Sequence, residues 1–212
     1  MSDRAVLFID GNNWYHSLKD VGVPDLGRLD YARISKKLVG PRDWIATRYY
    51  IGRVPQVGNP ALYADQRRFL AQLEATDSRI STHLGRLESH VEQNDAATEL
   101  RSYLGALRTR IDAGVFHQLM EIAKKYEHAT VMVEKAVDVM LAVDMVTMAT
   151  QDRYDAAYLL SADGDYTPAV DAVREVGRRI YAVSPLPGAQ LARAVNSFIR
   201  IPRDWFTDCY LP

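Results

Sequence analysis

The sequence predicts an α/β domain, with a central, mainly parallel sheet of about five strands, helices on both faces and a helical insertion. Three observations predict it. Short apolar runs alternate along the chain with amphipathic segments. Those runs are nearly continuous in Val, Leu, Ile and Ala, as strands covered on both faces are. Gly, Asn, Asp and Pro punctuate the boundaries.

Residues 5–9 (AVLFI) read as the first strand. It is closed by the turn formers Asp10-Gly11-Asn12-Asn13 and followed by the helix-compatible run WYHSLKD. Further strands are expected at 44–51, 79–84, 154–160 and 179–183, and helices near 29–39, 61–75, 136–150 and 166–177. From about 88 to 127 the rhythm breaks. Leu100, Leu104, Leu107, Ile111, Val115, Leu119 and Ile122 recur every three or four positions, so this stretch is expected to be a helical insertion or hairpin with one apolar stripe. Packing of that stripe against the main domain is preferred to an RNA-binding arm, and the stripe is also a candidate homodimer contact. No repeat, low-complexity tract or long linker divides the chain. Residues 1–212 therefore read as a single domain carrying an insertion at about 88–127.

The composition, 48% apolar and 25% charged with 12 Gly and 9 Pro, excludes collagen-like, wholly disordered and disulfide-scaffold classes. Lys plus Arg number 26 and Asp plus Glu 27, a net charge of −1, so a nucleic-acid partner would have to be met by a local patch. Arg42, Arg48, Arg53, Arg67, Arg68, Lys124 and Lys125 are the candidates, with Trp14, Tyr49, Tyr50 and Tyr166 available to stack on unpaired bases. The one cysteine, Cys209, has no intramolecular partner, which fits a reducing compartment. No apolar run nears the ~20 residues of a membrane span, and the first residues lack a signal-peptide layout. A cytoplasmic protein with no membrane partner is expected.

In open parallel sheets ligands bind beyond the carboxyl ends of the strands. Asp10 follows the first strand, and Asp163-Gly164-Asp165 follows residues 156–162 (AAYLLSA), so both deliver carboxylates to one rim. Residues 137–148 (VDVMLAVDMVTM) are apolar nearly all round a helix yet contain Asp138 and Asp144. Such a helix is expected to be buried, where an ionised carboxylate needs a cation, a strong donor or water. At about 100° per residue the two acids lie ~120° apart. Asp138 is accordingly the direct ligand, and Asp144 either a wider-site acid or a buried partner of an Arg or Lys. Carboxylates ~4 Å apart repel by about 1 kcal/mol in water and ~4 kcal/mol near a protein surface, so something positive must hold the cluster. Oxygen-only ligands suit Mg²⁺ or Mn²⁺, whereas His16, His83, His90, His117 and His128 lack zinc-site spacing.

Three blocks together resemble a known family: residues 8–13 (FIDGNN), 134–144 (EKAVDVMLAVD) and 154–166 (YDAAYLLSADGDY). In this order they resemble the signature blocks of NYN domains of the LabA-like type, within the PIN-like nuclease superfamily. The resemblance implies a PIN-like, Rossmann-type three-layer fold and a metal-dependent ribonuclease that leaves 5′-phosphates. Asp10, Asp138, Asp163 and Asp165 match its acids, Asn13 its asparagine, and Asp144 the acid closing the second block. Ala136 and Ala162 stand where glycine is usual in the family.

The chemistry expected is hydrolysis of RNA phosphodiester bonds, with Asp10, Asp138, Asp163 and Asp165 holding the metal and Asn13, Lys135 and Ser161 meeting substrate or orienting carboxylates. Single-stranded RNA is the expected partner. The main rival is a binding module that holds RNA or nucleotide at the same rim with little turnover. Haloacid-dehalogenase chemistry is disfavoured, because Asn12 stands where its acid/base aspartate would be.

Overall fold

The computed structural model describes residues 3–212, with side chains throughout except at 88–93 and 128–134. The elements in order are β1 (Arg4–Asp10), α1 (Gly11–Asp20), α2 (Tyr31–Val39), β2 (Asp43–Arg53), α3 (Pro60–Thr76), β3 (Ile80–Gln93), α4 (Asp95–Ala106), α5 (Ala113–Glu127), β4 (His128–Lys135), α6 (Val137–Thr150), β5 (Ala156–Leu160), α7 (Thr167–Glu175), β6 (Arg179–Ser184), α8 (Leu191–Ala194) and β7 (Ser197–Arg200). They form two compact units, one of Met1–Arg86 with Glu134–Pro212 and the other of Leu87–Val133.

In the first unit β3, β2, β1, β5, β6 and β7 lie side by side in that order, every pairing parallel. The α/β class is as the sequence predicts. The expected five strands become six here, because β7, only SFIR, carries too short and mixed a run to announce itself. β1 is central because both of its faces are apolar. Leu7 and Ile9 enter one core layer with Trp14 and Ile34; Val6 and Phe8 enter the other with Leu141 and Met145. The chain winds outward from β1 through β2 to β3, then returns to β5 on its other side and continues to β7. The crevice between the ends of β1 and β5 is thus the topological switch point, where open sheets of this kind bind ligands.

Helix α6 corrects one expectation. It buries a single stripe, Val137, Leu141, Met145 and Ala149, at fourfold spacing, and leaves Val139 64% and Val143 57% exposed. Apolar composition alone overstated its burial. Two backbone features set where it starts. Gly85 lets β3 approach closely: a Cβ there would lie 2.4 Å from Val137 Cγ2 and 2.8 Å from the Lys135 carbonyl. Ala136, just before α6, sits in the left-handed region at φ 70°.

The second unit contains the outer part of β3, its neighbour β4, and the α4–α5 pair. Residues 88–93, expected to be helical, belong to β3; the helical periodicity begins only at Leu100. β4 was likewise not expected. Asn94 caps α4 by accepting from the Ala97 N–H (3.2 Å), and Arg101 pairs with Glu127. The single stripe is broken between the helices. Leu104 and Ala123 are buried, whereas Leu100, Val115, Leu119 and Ile122 are exposed.

Candidate active site

The carboxyl end of β1 passes directly into α1, and Asp10 is the N-cap: its Oδ1 accepts the Asn13 N–H at 3.1 Å. Asp10 Oδ2 accepts from the Ser161 hydroxyl (3.3 Å) and from the Tyr166 hydroxyl (3.2 Å). The same Tyr166 oxygen lies 3.0 Å from Asp138 Oδ1. Residues from the ends of β1 and β5 and from the first turn of α6 therefore meet at one phenol. Tyr166 carries a single proton, so it cannot donate to both ionised carboxylates at once. While both acids are ionised, at most one of the two contacts is a hydrogen bond donated by Tyr166.

The electrostatics agree. Burial, reinforced by the negative charge of Asp138, pushes the Asp10 carboxyl from 3.8 up to about 6 against its hydrogen bonds. Burial and the two neighbouring carboxylates likewise hold the Tyr166 phenol far above the usual range, so it remains a donor. Asp138 itself is exposed in the first turn of α6, where the helix dipole favours an anion.

Asp163 is joined to this group indirectly: its N–H donates to the Ser161 hydroxyl (3.1 Å), and its Oδ1 accepts the Asp165 N–H (3.0 Å). Asp165 is exposed on the 3-10 turn Gly164–Tyr166. Asn13 Oδ1 accepts the Ala162 N–H at 3.1 Å, tying the ends of β1 and β5 together. Lys135 is exposed immediately before α6.

Asp144 is held elsewhere, by Arg48 Nη2 (2.7 Å) and the Tyr50 hydroxyl (2.7 Å), the partner-of-arginine role left open by the sequence. Several base-stacking and phosphate candidates are otherwise engaged. Trp14, Tyr50 and Tyr166 are core residues at 0–2% exposure, because each fills space against the sheet. Arg42 lies just before β2, at the amino end of the strands and away from the rim, bonded to the Tyr158 and Tyr181 hydroxyls.

A family model for the NYN domain matches residues 4–202. The chain belongs to the NYN domain family. Its fold is also similar to that of a protein of unknown function, VPA0982, from Vibrio parahaemolyticus RIMD 2210633, with a TM-score of 0.57 and 13% identity over 96% of this chain and 95% of that one. No curated protein matches. NYN domains are in general metal-dependent nucleases acting on RNA.

Does this NYN domain offer a fitting donor set? Among the described residues, no three His, Cys, Asp or Glu side chains form a ready-made metal cluster. Mg²⁺, however, is usually bound by one or two carboxylates together with water and substrate phosphate. Asp10 and Asp138, sharing one hydroxyl with no basic side chain bonded to either among the described residues, fit such a cation. Tyr166 is the residue whose position in this NYN domain sequence reasoning missed. The signal was its place one residue after Asp165, on a turn bound to return to the sheet.

Proposed function

We propose that this NYN domain, as a member of the LabA-like type, hydrolyses phosphodiester bonds of single-stranded RNA at the Asp10–Asp138 rim. The observation that supports this most is the shared Tyr166 hydroxyl, which brings two carboxylates together at the switch point with no basic partner among the described residues. Mg²⁺ or Mn²⁺ would be held by Asp10 and Asp138, with Asp163 and Asp165 reached through water. When bound, the ion supplies charge neutralisation at the scissile phosphate and a lowered pKa for water.

The chain's own residues do the rest. Tyr166 fixes the spacing of the two carboxylates, and Ser161 passes the same alignment on to Asp163. Asp163, whose Oδ1 accepts the Asp165 N–H, would use its other oxygen to take a proton from the attacking water. Asn13 holds the two strand ends in register, leaving its side-chain amide N–H groups for a phosphate oxygen. Lys135 meets the phosphate as an exposed cation. The whole chain acts as one domain with the second unit inserted, in the cytoplasm, and the exposed Leu100, Val115, Leu119 and Ile122 face supports a homodimer.

The test is cleavage of a labelled single-stranded RNA with Mn²⁺. Asp138→Asn should lower the rate by at least about 100-fold, the scale of removing one charge-stabilising group. The alternative, a binding module with little turnover, is favoured by the convergence of two carboxylates rather than three. RNA bound tightly but uncut, equally in wild type and Asp138→Asn, would establish it instead.

A further inference from the structure

On the face of the sheet opposite α6, a cavity of about 580 Å³ opens beside the rim, lined by Tyr15, Leu26, Gly27, Tyr49, Leu62 and Phe69 among others. Its floor is an edge-to-face aromatic set, Tyr49 lying 5.5 Å from Tyr31 and 5.7 Å from Phe69. Its walls are open, with Tyr15 46% and Leu62 57% exposed. The cavity adjoins the chain on either side of Asp10. Tyr49 is the ladder partner of Ile9, and a Cβ on Gly11, the residue after Asp10, would lie 2.6 Å from the Tyr49 ring.

A second, independent feature continues from it. Strand alternation puts Arg53 on the same face of β2 as Tyr49 and Ile51. Arg53 and Arg86 stand directly opposite each other in the β2–β3 ladder, both exposed and neither in an ion pair among the described residues. Two like charges on neighbouring residues of adjacent strands repel, and an anion seated between them would relieve that repulsion. An aromatic cavity suits a flat π-face, and a forked guanidinium pair suits phosphate.

We infer that this cavity and the Arg53–Arg86 pair form a nucleotide subsite, which seats one unpaired base of an RNA strand and the adjoining phosphate while a neighbouring phosphodiester lies at Asp10–Asp138. The inference deepens the nuclease reading and rests on it for the identity of the strand. It adds what the acids lack: a grip on substrate that is sequence-tolerant and confined to unstacked bases.

The experiment measures binding of a fluorescent single-stranded RNA to the wild-type chain in chelator, where no turnover occurs. Gly27→Trp fills the cavity from a position where a Cβ meets nothing within 4 Å, and Tyr15→Ala removes an exposed wall, so neither threatens the fold. Each should weaken binding about tenfold without changing its salt dependence, the scale of one base stack. The double change Arg53→Gln with Arg86→Gln should weaken binding similarly and flatten the slope of log K against log salt by about 0.7 or more, the single-strand value per phosphate. One abasic nucleotide in the strand should cost wild type about tenfold and cost Gly27→Trp nothing further, by the same stacking scale.

Unchanged affinity in Gly27→Trp, or equal cost of the abasic site in both proteins, would overturn the subsite. So would free mononucleotide displacing the strand at equal concentration. Cleavage assayed in parallel separates the two readings. Cutting that is indifferent to these variants rejects the subsite alone; subsite behaviour without any cutting rejects the nuclease alone.

Discussion

Two places in the first unit use the same parts to opposite effect. At the rim, Asp138 of α6 meets the Tyr166 hydroxyl beside Asp10; further along, Asp144 of the same helix meets the Tyr50 hydroxyl beside Arg48. Each pairs a carboxylate with a phenol. The difference is the third member, an anion in one case and a cation in the other. Where Arg48 stands, burial is outweighed by the Tyr50 and Arg48 hydrogen bonds, and Asp144 is held below the usual carboxylate range. Where Asp10 stands, burial and a neighbouring charge raise the carboxyl to about 6. A self-neutralised cluster braces the fold, whereas the uncompensated one is where the proposed function puts a cation.

The largest expected contrast is in activity. Asp138→Asn should cost at least about 100-fold in RNA cleavage, and Asp144→Asn far less, under about fivefold, because its charge is already satisfied within the protein. Equal losses in the two variants would erase the distinction between rim and brace.

Stability should show the reverse sign. In metal-free protein at pH 7.5 the ionised Asp10 is a liability of roughly 2–3 kcal/mol, since each pKa unit corresponds to about 1.4 kcal/mol. Asp10→Asn should therefore raise the thermal midpoint by several degrees, at about 2–4 °C per kcal/mol for a chain of this size. Asp144→Asn should lower it. The pH dependence follows from the same shift. Because the folded state holds the Asp10 proton more tightly than the unfolded state, this group's contribution declines as pH climbs from about 4 to about 6 and is level above that. Asp144 acts oppositely, stabilising at neutral pH and losing that effect as pH falls below the ordinary carboxylate range.

Two backbone positions sharpen the account of how α6 reaches the rim. Gly85→Ala places a Cβ against Val137 and the Lys135 carbonyl and should cost about 1–3 kcal/mol, the scale of overpacking, measured by denaturant unfolding. The smallest effect is at Ala136, held at φ 70°; Ala136→Gly should stabilise by about 1 kcal/mol, the relief of a left-handed non-glycine residue.

The rim was legible in the sequence wherever an acid directly follows a buried strand. AVLFI ending in Asp10, and the Ser161–Asp165 segment after β5, place their acids by strand length alone. Asp138 was legible because it is charged at the start of an apolar helix. The brace was half legible: helical geometry separated Asp144 from Asp138, but naming Arg48 requires knowing that β2 lies next to α6. Tyr166 was not legible as a bridge, since an aromatic after an acidic turn reads equally as core or as stacking platform. The departure at Ala136 was visible, yet its meaning was not: the residue sits at φ 70°, a backbone torsion that no sequence pattern announces. β7 and the 88–93 part of β3 escaped because short or polar strands leave no periodicity to read.

The most direct measurement follows Mn²⁺ binding by calorimetry from pH 5 to pH 8, in wild type and Asp10→Asn. If Asp10 and Asp138 share the ion, its apparent affinity should rise through pH 6 as the Asp10 proton ceases to compete, level off above, and collapse in the variant. Affinity that ignores pH, or survives Asp10→Asn intact, would contradict a cation held at the switch point.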